Sequence, residues 1–350
     1  MRLSDSAPLI VAQELGFYEQ LGLTVTLHRE VSWANIRDKT IAGTFDACQM
    51  LSPMPLVTTL GAAGIRVPML TGLILSKNGN AITVSKTLWN KMIQAADNDQ
   101  PLSSAVASAK LLKKVLSDDA KPVLTFATVH SFSSHTLLLR QWLAAGGVSV
   151  DVEVRIIVLP PEQMVDSLAE GVIDGFCVGE PWNSLAVEYG TGVIAATGVH
   201  ICDGAPEKVL GVLEDWHNRN PATHLRLRLA LMLACEWLGD MSNREATIEM
   251  LSHPEYLGLP VSRLRPSLSG QILYDRAQQP QHQSNFHIFA SDYAGLPRSS
   301  QAELIIKQCS PLLGKPVDQK RLNLLAEQCF RADLYREAAA LASMDCPVDD

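Results

Sequence analysis

His135 is a residue whose type and position suggest a chemical role. In SFSSHTLLLRQWLAAGG (131–147), an apolar helix begins at Ser133 or Ser134 and ends at two glycines, and His135 lies in its opening turn. The free amides of that turn and the positive end of the helix dipole lie beside the histidine, an arrangement that suits a small anion. A histidine that only packs or faces solvent near the cap is the alternative, and spacing alone favours that alternative.

Other polar and aromatic residues stand where α/β proteins place the walls of a cleft. The GEPWN turn carries Gly179 and Glu180 directly after a predicted buried strand, where cleft-lining loops lie. Trp33 lies between a predicted strand and a helix, and Lys208 lies in the predicted first turn of another helix. Packing or solvation is the alternative for each residue alone. Together, a lysine, a histidine, a tryptophan and helix amides suit a compact planar anion in a desolvated cleft.

The signatures of common enzymes are missing from the sequence. It contains no G-x-S-x-G, H-E-x-x-H, G-x-x-x-x-G-K-[ST] or G-x-G-x-x-G motif, so we expect no catalytic residue, no cofactor and no metal. A formal charge of −8 without a run of Lys and Arg argues against a nucleic-acid surface.

Cysteine usage and the N-terminus bear on the compartment. Seven cysteines are scattered over 350 residues and are never spaced C-x-x-C, so reduced thiols in a cytoplasmic protein are the simpler interpretation. The N-terminal residues show no basic region followed by a long apolar one, and no run of about 18 apolar residues occurs. As written, the chain is expected to be neither exported nor membrane-spanning.

Alternating strands and helices must position these residues through the first 200 positions. The pattern predicts a helix over residues 7–20, a strand over TVTLHREV (24–31), a helix over 35–42 and a buried strand over FDACQML (45–51). This alternation predicts an α/β protein. Beyond about Pro221 the pattern becomes mostly helical, and these helices are expected to pad the first lobe of the protein. The polar segment QQPQHQSN (278–285) is predicted to be a mobile surface loop.

A short internal repeat predicts two similar lobes. DKTIAGTFDA (38–47) and DSLAEGVIDG (166–175) share an Asp, a Gly five residues later and an Asp three after that, although coincidence is an alternative. Two α/β lobes joined by crossing segments describe a hinged binding protein with its ligand in the cleft. Predicted crossings near 78–85 and 176–184 give lobe I residues 1–79 and 184–350, and lobe II residues 80–183.

A series of sequence blocks resembles a known family. The blocks are SDSAPLIVAQELGFYEQLGLTVTL, SWANIRDK, LSPMPL, NGNAITVS, FSSHTLLLRQWLAAGG, LPPEQMV, DGFCVGEPWN and PEKVLG. In this order they resemble the nitrate-binding proteins related to the solute-binding components of nitrate and bicarbonate ABC transporters. The resemblance implies the two-lobe, periplasmic-binding-protein-like (type II) fold, with a hinged ligand cleft.

The resemblance also implies a set of ligand contacts. The family's tryptophan, histidine and lysine contacts correspond to Trp33, His135 and Lys208. Its polar side chain after N-G corresponds to Asn80, where transporter members often have Gln, so that the shorter amide reaches the ligand differently. The turn that begins at Gly179 and Glu180 is expected to supply the remaining wall.

Two roles follow from the resemblance, and a third remains as an alternative. VHSFSSH and NGNAITVS are similar to the cytoplasmic NasS-type nitrate/nitrite sensor branch, which implies that the protein holds an ANTAR-domain antiterminator and releases it on ligand binding, without touching RNA itself. The alternative is an extracytoplasmic solute-binding protein that delivers nitrate, nitrite or bicarbonate to an ABC permease. The third is an enzyme, since the fold superfamily includes thiamine-precursor synthesis proteins, but their cysteine-dense motif is missing here.

The family's usual first strand bears on both the fold and the compartment. Family members usually begin with an apolar strand just before the S-D-S-A-P-L block, which starts at Ser4 here. We therefore expect neighbouring strand edges and core residues to lack a partner. An upstream segment with an export signal would favour the transporter role.

Overall fold

Two β-sheets organise the computed structural model, which describes residues 1–62, 64–96, 104–117, 123–314 and 316–347. The first sheet has the strand order β1-β8-β2-β11, and the second has the order β5-β4-β6-β3-β7. The strands are Cys48–Leu51 (β1), Met69–Asn78 (β2), Asn80–Ser85 (β3), Leu124–Thr128 (β4), Val154–Val158 (β5), Gly175–Gly179 (β6), Gly192–Thr197 (β7), Pro206–Leu213 (β8), Gln271–Ile272 (β9), Gln281–His282 (β10) and His287–Ile288 (β11).

Helices cover both sheets. Each sheet with its helices is called a lobe below, lobe I for the first sheet and lobe II for the second. The helices are Ala7–Glu14 (α1), Phe17–Gln20 (α2), Trp33–Ile41 (α3), Met54–Leu60 (α4), Lys86–Gln94 (α5), Ala105–Leu116 (α6), Ser134–Ala145 (α7), Met164–Ala169 (α8), Trp182–Glu188 (α9), Gly198–Cys202 (α10), Glu214–Arg219 (α11), Pro221–Gly239 (α12), Arg244–Ser252 (α13), Val261–Ser269 (α14), Ser299–Cys309 (α15), Gln319–Cys329 (α16) and Ala332–Leu341 (α17).

The α/β architecture confirms the fold class expected from the sequence. In lobe I the named strands β1, β2, β8 and β11 pair antiparallel, whereas in lobe II β4 runs parallel to both β5 and β6. The C-terminal helices pad lobe I, because Leu231 and Leu238 of α12 and Tyr335 of α17 share a buried cluster with Leu210 of β8. Burial of apolar surface on one face of these helices therefore holds the last third of the chain in place.

The chain passes from lobe I to lobe II between Asn78 and Asn80, at Gly79. The return comes later than the predicted position at 183/184, because β7 pairs with β3 in the second sheet. Residues 192–197 were predicted to belong to lobe I. Their apolar pattern fits a buried strand in either sheet, and only the pairing decides between them.

The internal repeat corresponds to two equivalent helix-to-strand turns. Gly43 follows α3 with a φ of 74°, and Gly171 follows α8 with a φ of 72°, so both glycines end their helices in the left-handed region. Asp174 then accepts a hydrogen bond from the Thr125 amide, but Asp46 accepts one from the Trp216 indole instead. The repeat therefore marks a shared turn, while its second Asp plays a different role in each lobe.

The predicted strand over residues 24–31 is wrong. The segment has no regular secondary structure, with Val25 and Leu27 half-buried and Thr26 exposed, and no backbone hydrogen bond of residues 24–31 occurs within the described chain. A groove of about 770 Å³, lined by residues 23–29 and 44–49, lies between it and β1. Burial alternates from Thr24 to His28, but a strand also needs a ladder partner.

Three smaller predictions also differ from the structure. The predicted helix over residues 7–20 is divided into α1 and α2 at Gly16, whose φ is 69°. Lys208 lies on strand β8 rather than in a helix. The predicted loop over 278–285 contains β10, which pairs with β9. The position of Lys208 matters most for the candidate site, because it places this residue on a central strand of the first sheet, between β1 and β2.

Candidate ligand site between the lobes

Lys208 is the centre of a buried charged cluster on lobe I. It lies opposite Leu51 of β1 and Ser76 of β2, and its side chain is fully buried. Its Nζ lies 2.7 Å from Asp5 Oδ2 and also contacts Glu207 Oε1. Burial alone would lower the pKa of Lys208, but the two carboxylates outweigh it and raise the pKa above its usual value. The ammonium group is therefore charged at neutral pH.

Trp33 completes the lobe I face of the site. It is the first residue of α3, where Ser32 caps the helix by accepting a hydrogen bond from the Asn35 amide. The Lys208 Nζ lies 5.2 Å from the centroid of the Trp33 ring, which is a cation–π distance. The Trp33 Nε1 is buried and has no partner among the described residues.

The Glu207 carboxylate joins the two lobes. Glu207 lies on β8 of lobe I, yet its Oε1 is 2.8 Å from His135 Nε2 of lobe II. Its Oε2 accepts a hydrogen bond from the side-chain amide nitrogen of Asn80, Nδ2. Burial alone would raise the pKa of Glu207, but the Lys208 ammonium and His135 hold it well below its usual range. An ionised carboxylate only accepts hydrogen bonds, so the His135 Nε2 carries the proton of this contact.

Helix α7 and strand β3 position the lobe II residues. Ser133 caps α7 by accepting a hydrogen bond from the Thr136 amide at 3.0 Å, which fixes His135 in the first turn as predicted. Asn80 begins β3 directly opposite Gly179 of β6. A Cβ at Gly179 would lie 3.4 Å from both Asn80 Oδ1 and Asp5 Oδ2, so Gly179 lines the same site.

Glu180 was predicted to line the ligand site, but its carboxylate bonds within its own turn. Its Oε2 accepts a hydrogen bond from the Ser184 amide at 3.1 Å, inside its own turn and helix α9. Burial raises the pKa of Glu180 to about 7. Its backbone ties the site together, because its amide donates to the Gly79 carbonyl and its carbonyl accepts from the Ser4 amide. The described contacts therefore do not bring the Glu180 carboxylate to Lys208 or His135.

Three residues of the cluster were missed by sequence reasoning. Asp5 and Glu207 lie in blocks that carry the family resemblance, next to residues that were predicted, but an acidic side chain is not an obvious part of an anion site. His287 lies on β11, in the part of the chain predicted to pad lobe I, and its ring packs so closely on Gly79 that a Cβ there would come within 2.2 Å. Burial, with Arg244 and Lys208, lowers the pKa of His287 to about 3, so its ring is neutral.

Several buried polar atoms of this cluster have no partner within the described chain. They include Trp33 Nε1, Asp5 Oδ1, Asn80 Oδ1, His135 Nδ1 and both ring nitrogens of His287. Buried polar groups are normally hydrogen-bonded, and each unpaired one costs about 1–3 kcal/mol. Such a concentration of unused donors and acceptors around a buried ammonium is typical of a small polar ligand site.

The described residues show neither a metal site nor a membrane span. Among them, no three His, Cys, Asp or Glu side chains are grouped closely enough to hold a metal ion. The helices within the described ranges are all too short or too polar to cross a bilayer. All seven cysteines are free.

The fold and the site define a two-lobe, periplasmic-binding-protein-like molecule with a polar site between its lobes. The chain belongs to the NMT1-like family, whose model matches residues 1–252.

Its relatives include proteins named for nitrate import and for nitrate and nitrite binding. It is 38% identical over 340 residues to the nitrate import ATP-binding protein NrtC of Synechocystis, covering 96% of this chain and 48% of that protein. It is 30% identical to the nitrate/nitrite binding protein NrtA of Nostoc, covering 96% of this chain and 74% of the relative. The chain thus spans about half the length of the first of these relatives and about three quarters of the second.

The crystal structure of the periplasmic nitrate-binding protein NrtA from Synechocystis has the same fold. It superposes with a TM-score of 0.90 at 27% identity, covering 99% of this chain and 89% of the other.

Proposed function

We propose that this protein binds nitrate or nitrite at the Lys208–His135 site between the lobes. One observation carries the proposal: His135 Nε2, Lys208 Nζ and Asn80 Nδ2 converge on a single carboxylate. A carboxylate, nitrite and nitrate are all planar anions whose oxygens accept hydrogen bonds from such donors. Similarity to NrtA, which is named for nitrate and nitrite binding, supports this choice of anion.

Calorimetric titration with nitrate, nitrite and bicarbonate tests the ligand. We expect nitrate or nitrite to bind, and His135→Ala to weaken that binding at least about tenfold, which is the loss of a charge-assisted hydrogen bond. His224→Ala is the matched control, since His224 is also fully buried but pairs with His217, outside the cluster. Absence of binding heat from either anion, in a protein with a folded circular dichroism spectrum, would contradict the proposal.

The role that similarity to NrtA supports is that of a solute-binding protein for anion import. In this role the protein lies outside the cytoplasmic membrane and delivers its anion to an ABC permease. Closure of the lobes over the ligand would present the loaded form to the permease. Reconstitution with the cognate permease should give uptake of nitrate that depends on this protein, and no uptake would count against the role.

A cytoplasmic nitrate/nitrite sensor is the second candidate role. It is favoured by the VHSFSSH and NGNAITVS forms around His135 and Asn80, and it implies an ANTAR-domain antiterminator as partner. Co-purification of such a protein, followed by its dissociation on addition of nitrate, would support the sensor. A complex that ignores both anions would contradict it. Neither role includes a catalytic step.

A further inference from the structure

We propose that Glu207 is an internal ligand of the anion site: its carboxylate takes the contacts of the bound anion and must leave them before nitrate or nitrite can bind. This inference rests on the proposed function, and it adds a residue that opposes binding. It follows from the geometry of one side chain and from the charges around it.

Both oxygens of Glu207 are engaged by donors of the site. Oε1 contacts Lys208 Nζ and lies 2.8 Å from His135 Nε2, while Oε2 accepts from Asn80 Nδ2. These donors are three of the four ligand contacts that the family resemblance implied. A planar group with two oxygen acceptors thus holds the positions that two oxygens of nitrate or nitrite need.

The charges around Lys208 show why Glu207 competes with an anion instead of assisting it. The Lys208 ammonium already lies between the carboxylates of Asp5 and Glu207, all of them buried. An anion added beside Glu207 would be a third negative group around one ammonium in a poorly solvated place. An ionised carboxylate has no hydrogen to donate to the oxygens of an anion. Exchange of Glu207 for the anion keeps the charge of the site unchanged.

The exchange also keeps the lobes joined. Glu207 belongs to β8 of lobe I and contacts His135 and Asn80 of lobe II. A bound anion that accepts from Lys208 of lobe I and from His135 of lobe II would replace one interlobe bridge by another. The carboxylate therefore lowers the apparent affinity for the anion without changing which donors hold it.

Glu207→Gln tests the inference by removing the charge of the internal ligand while keeping its shape. Calorimetry should show nitrate binding at least about tenfold tighter than in the unmodified protein, because a neutral amide competes poorly for the Lys208 ammonium. Asp5→Asn is the matched control, since it removes a negative charge from the same ammonium but frees neither His135 nor Asn80. We expect it to tighten binding less than about threefold.

Each outcome decides between these ideas. Unchanged or weaker binding by Glu207→Gln would overturn the internal ligand, and an equal gain in both variants would replace it by a simple effect of net charge. Binding by neither the unmodified protein nor Glu207→Gln would contradict the proposed function and the inference together. A crystal structure of the unmodified protein with nitrate gives a test that needs no variant. We expect Glu207 Oε1 to lie more than about 3.5 Å from His135 Nε2 in that complex. A nitrate complex that retains the hydrogen bond between Glu207 and His135 would overturn the inference.

Discussion

The two faces of the interlobe site differ in how they hold polar groups. The lobe I face carries charges, with Lys208 between Asp5 and Glu207. The lobe II face offers hydrogen-bonding groups at the start of a helix and of a strand, namely His135 and Asn80. The lobe I face supplies the ammonium that attracts an anion, together with two carboxylates that oppose it, while the lobe II face supplies directed hydrogen bonds. Loss of a charge from lobe I therefore unbalances a buried cluster, whereas loss of a group from lobe II removes a hydrogen bond.

Two buried glutamates show the same contrast. Glu207 has an ammonium beside it, so its pKa lies well below the usual range despite burial. Burial instead dominates at Glu180 and raises its pKa to about 7, although bonds from Ser184 partly oppose this. Both side chains are almost fully buried. The neighbouring charge, and not the depth of burial, therefore decides which glutamate remains ionised.

Lys208→Met is the variant with the largest expected effect. It leaves the Asp5 and Glu207 carboxylates buried without their cation, which typically costs about 3–5 kcal/mol of unfolding free energy. Urea denaturation measures the loss. Lys86→Met is the control, because the Lys86 side chain is 40% exposed and its ammonium pairs with Asp275 at 2.7 Å, and such exposed pairs contribute at most about 1 kcal/mol. Similar losses in the two variants would show that the lobe I cluster is not specially sensitive to its charge balance.

The raised pKa of Glu180 gives the second largest effect on stability. Its dependence on pH has the opposite sign to that of Glu207. A raised carboxyl pKa stabilises the fold fully below its unfolded value near 4.5, and this contribution disappears as the pH rises through about 7. The shift corresponds to roughly 3 kcal/mol. The depressed pKa of Glu207 stabilises the fold above its unfolded value and is lost only when the pH falls through the much lower folded value.

Glu180→Gln isolates this contribution. Between pH 4.5 and 8, the unmodified protein should lose stability relative to Glu180→Gln, because only the glutamate must become ionised in a buried place. Urea denaturation across this range gives the difference between the two curves. Parallel curves would mean that Glu180 is ionised as easily in the folded protein as in the unfolded chain.

The placement of His135 in a first helical turn was predicted from local sequence, whereas Lys208 lies on a strand that was predicted as a helix, because pairing between distant segments decides its place. The Ser133 cap places His135 in the first turn of α7, and a cap is a local signal. Glu207 and His287 reach the site through sheet pairing and through contacts across the lobes, which no local pattern encodes. The same limit explains why β7 was given to the wrong sheet.

Gly79 lies where the two faces meet, and its substitution tests how tightly they are joined. Its φ is 84°, and a Cβ would come within 2.2 Å of the His287 ring. We expect Gly79→Ala to lower the unfolding free energy by about 2–3 kcal/mol from backbone strain and steric overlap together. Gly43→Ala has a similar φ of 74° with nothing within 4 Å of its Cβ, so it should lose only about 1 kcal/mol. Equal losses would show that the His287 ring moves aside at no cost.

Trp33→Phe should have the smallest effect on stability, and it separates binding from folding on the charged face. Phenylalanine keeps an aromatic ring beside the Lys208 ammonium, and the indole N–H that it removes has no partner in the described chain. The indole N–H therefore contributes no hydrogen bond to stability, and only the small cavity beside the phenylalanine ring should lower it, by about 1 kcal/mol. If Nε1 donates to the anion, nitrate affinity falls about fivefold, the equivalent of one modest hydrogen bond of about 1 kcal/mol.

Trp142→Phe is the matched control for this split. The Trp142 Nε1 donates to Ser108 Oγ at 3.0 Å in the core of lobe II. Loss of this hydrogen bond should cost about 1 kcal/mol of stability beyond a similar cavity, and it should leave nitrate affinity unchanged. The two variants should therefore have opposite consequences. Trp33→Phe weakens nitrate binding with little loss of stability, and Trp142→Phe lowers stability without affecting binding. A Trp33→Phe protein that loses as much stability as Trp142→Phe but binds nitrate normally would make the indole N–H a structural group, and the lobe I face would then act on the anion through charge alone.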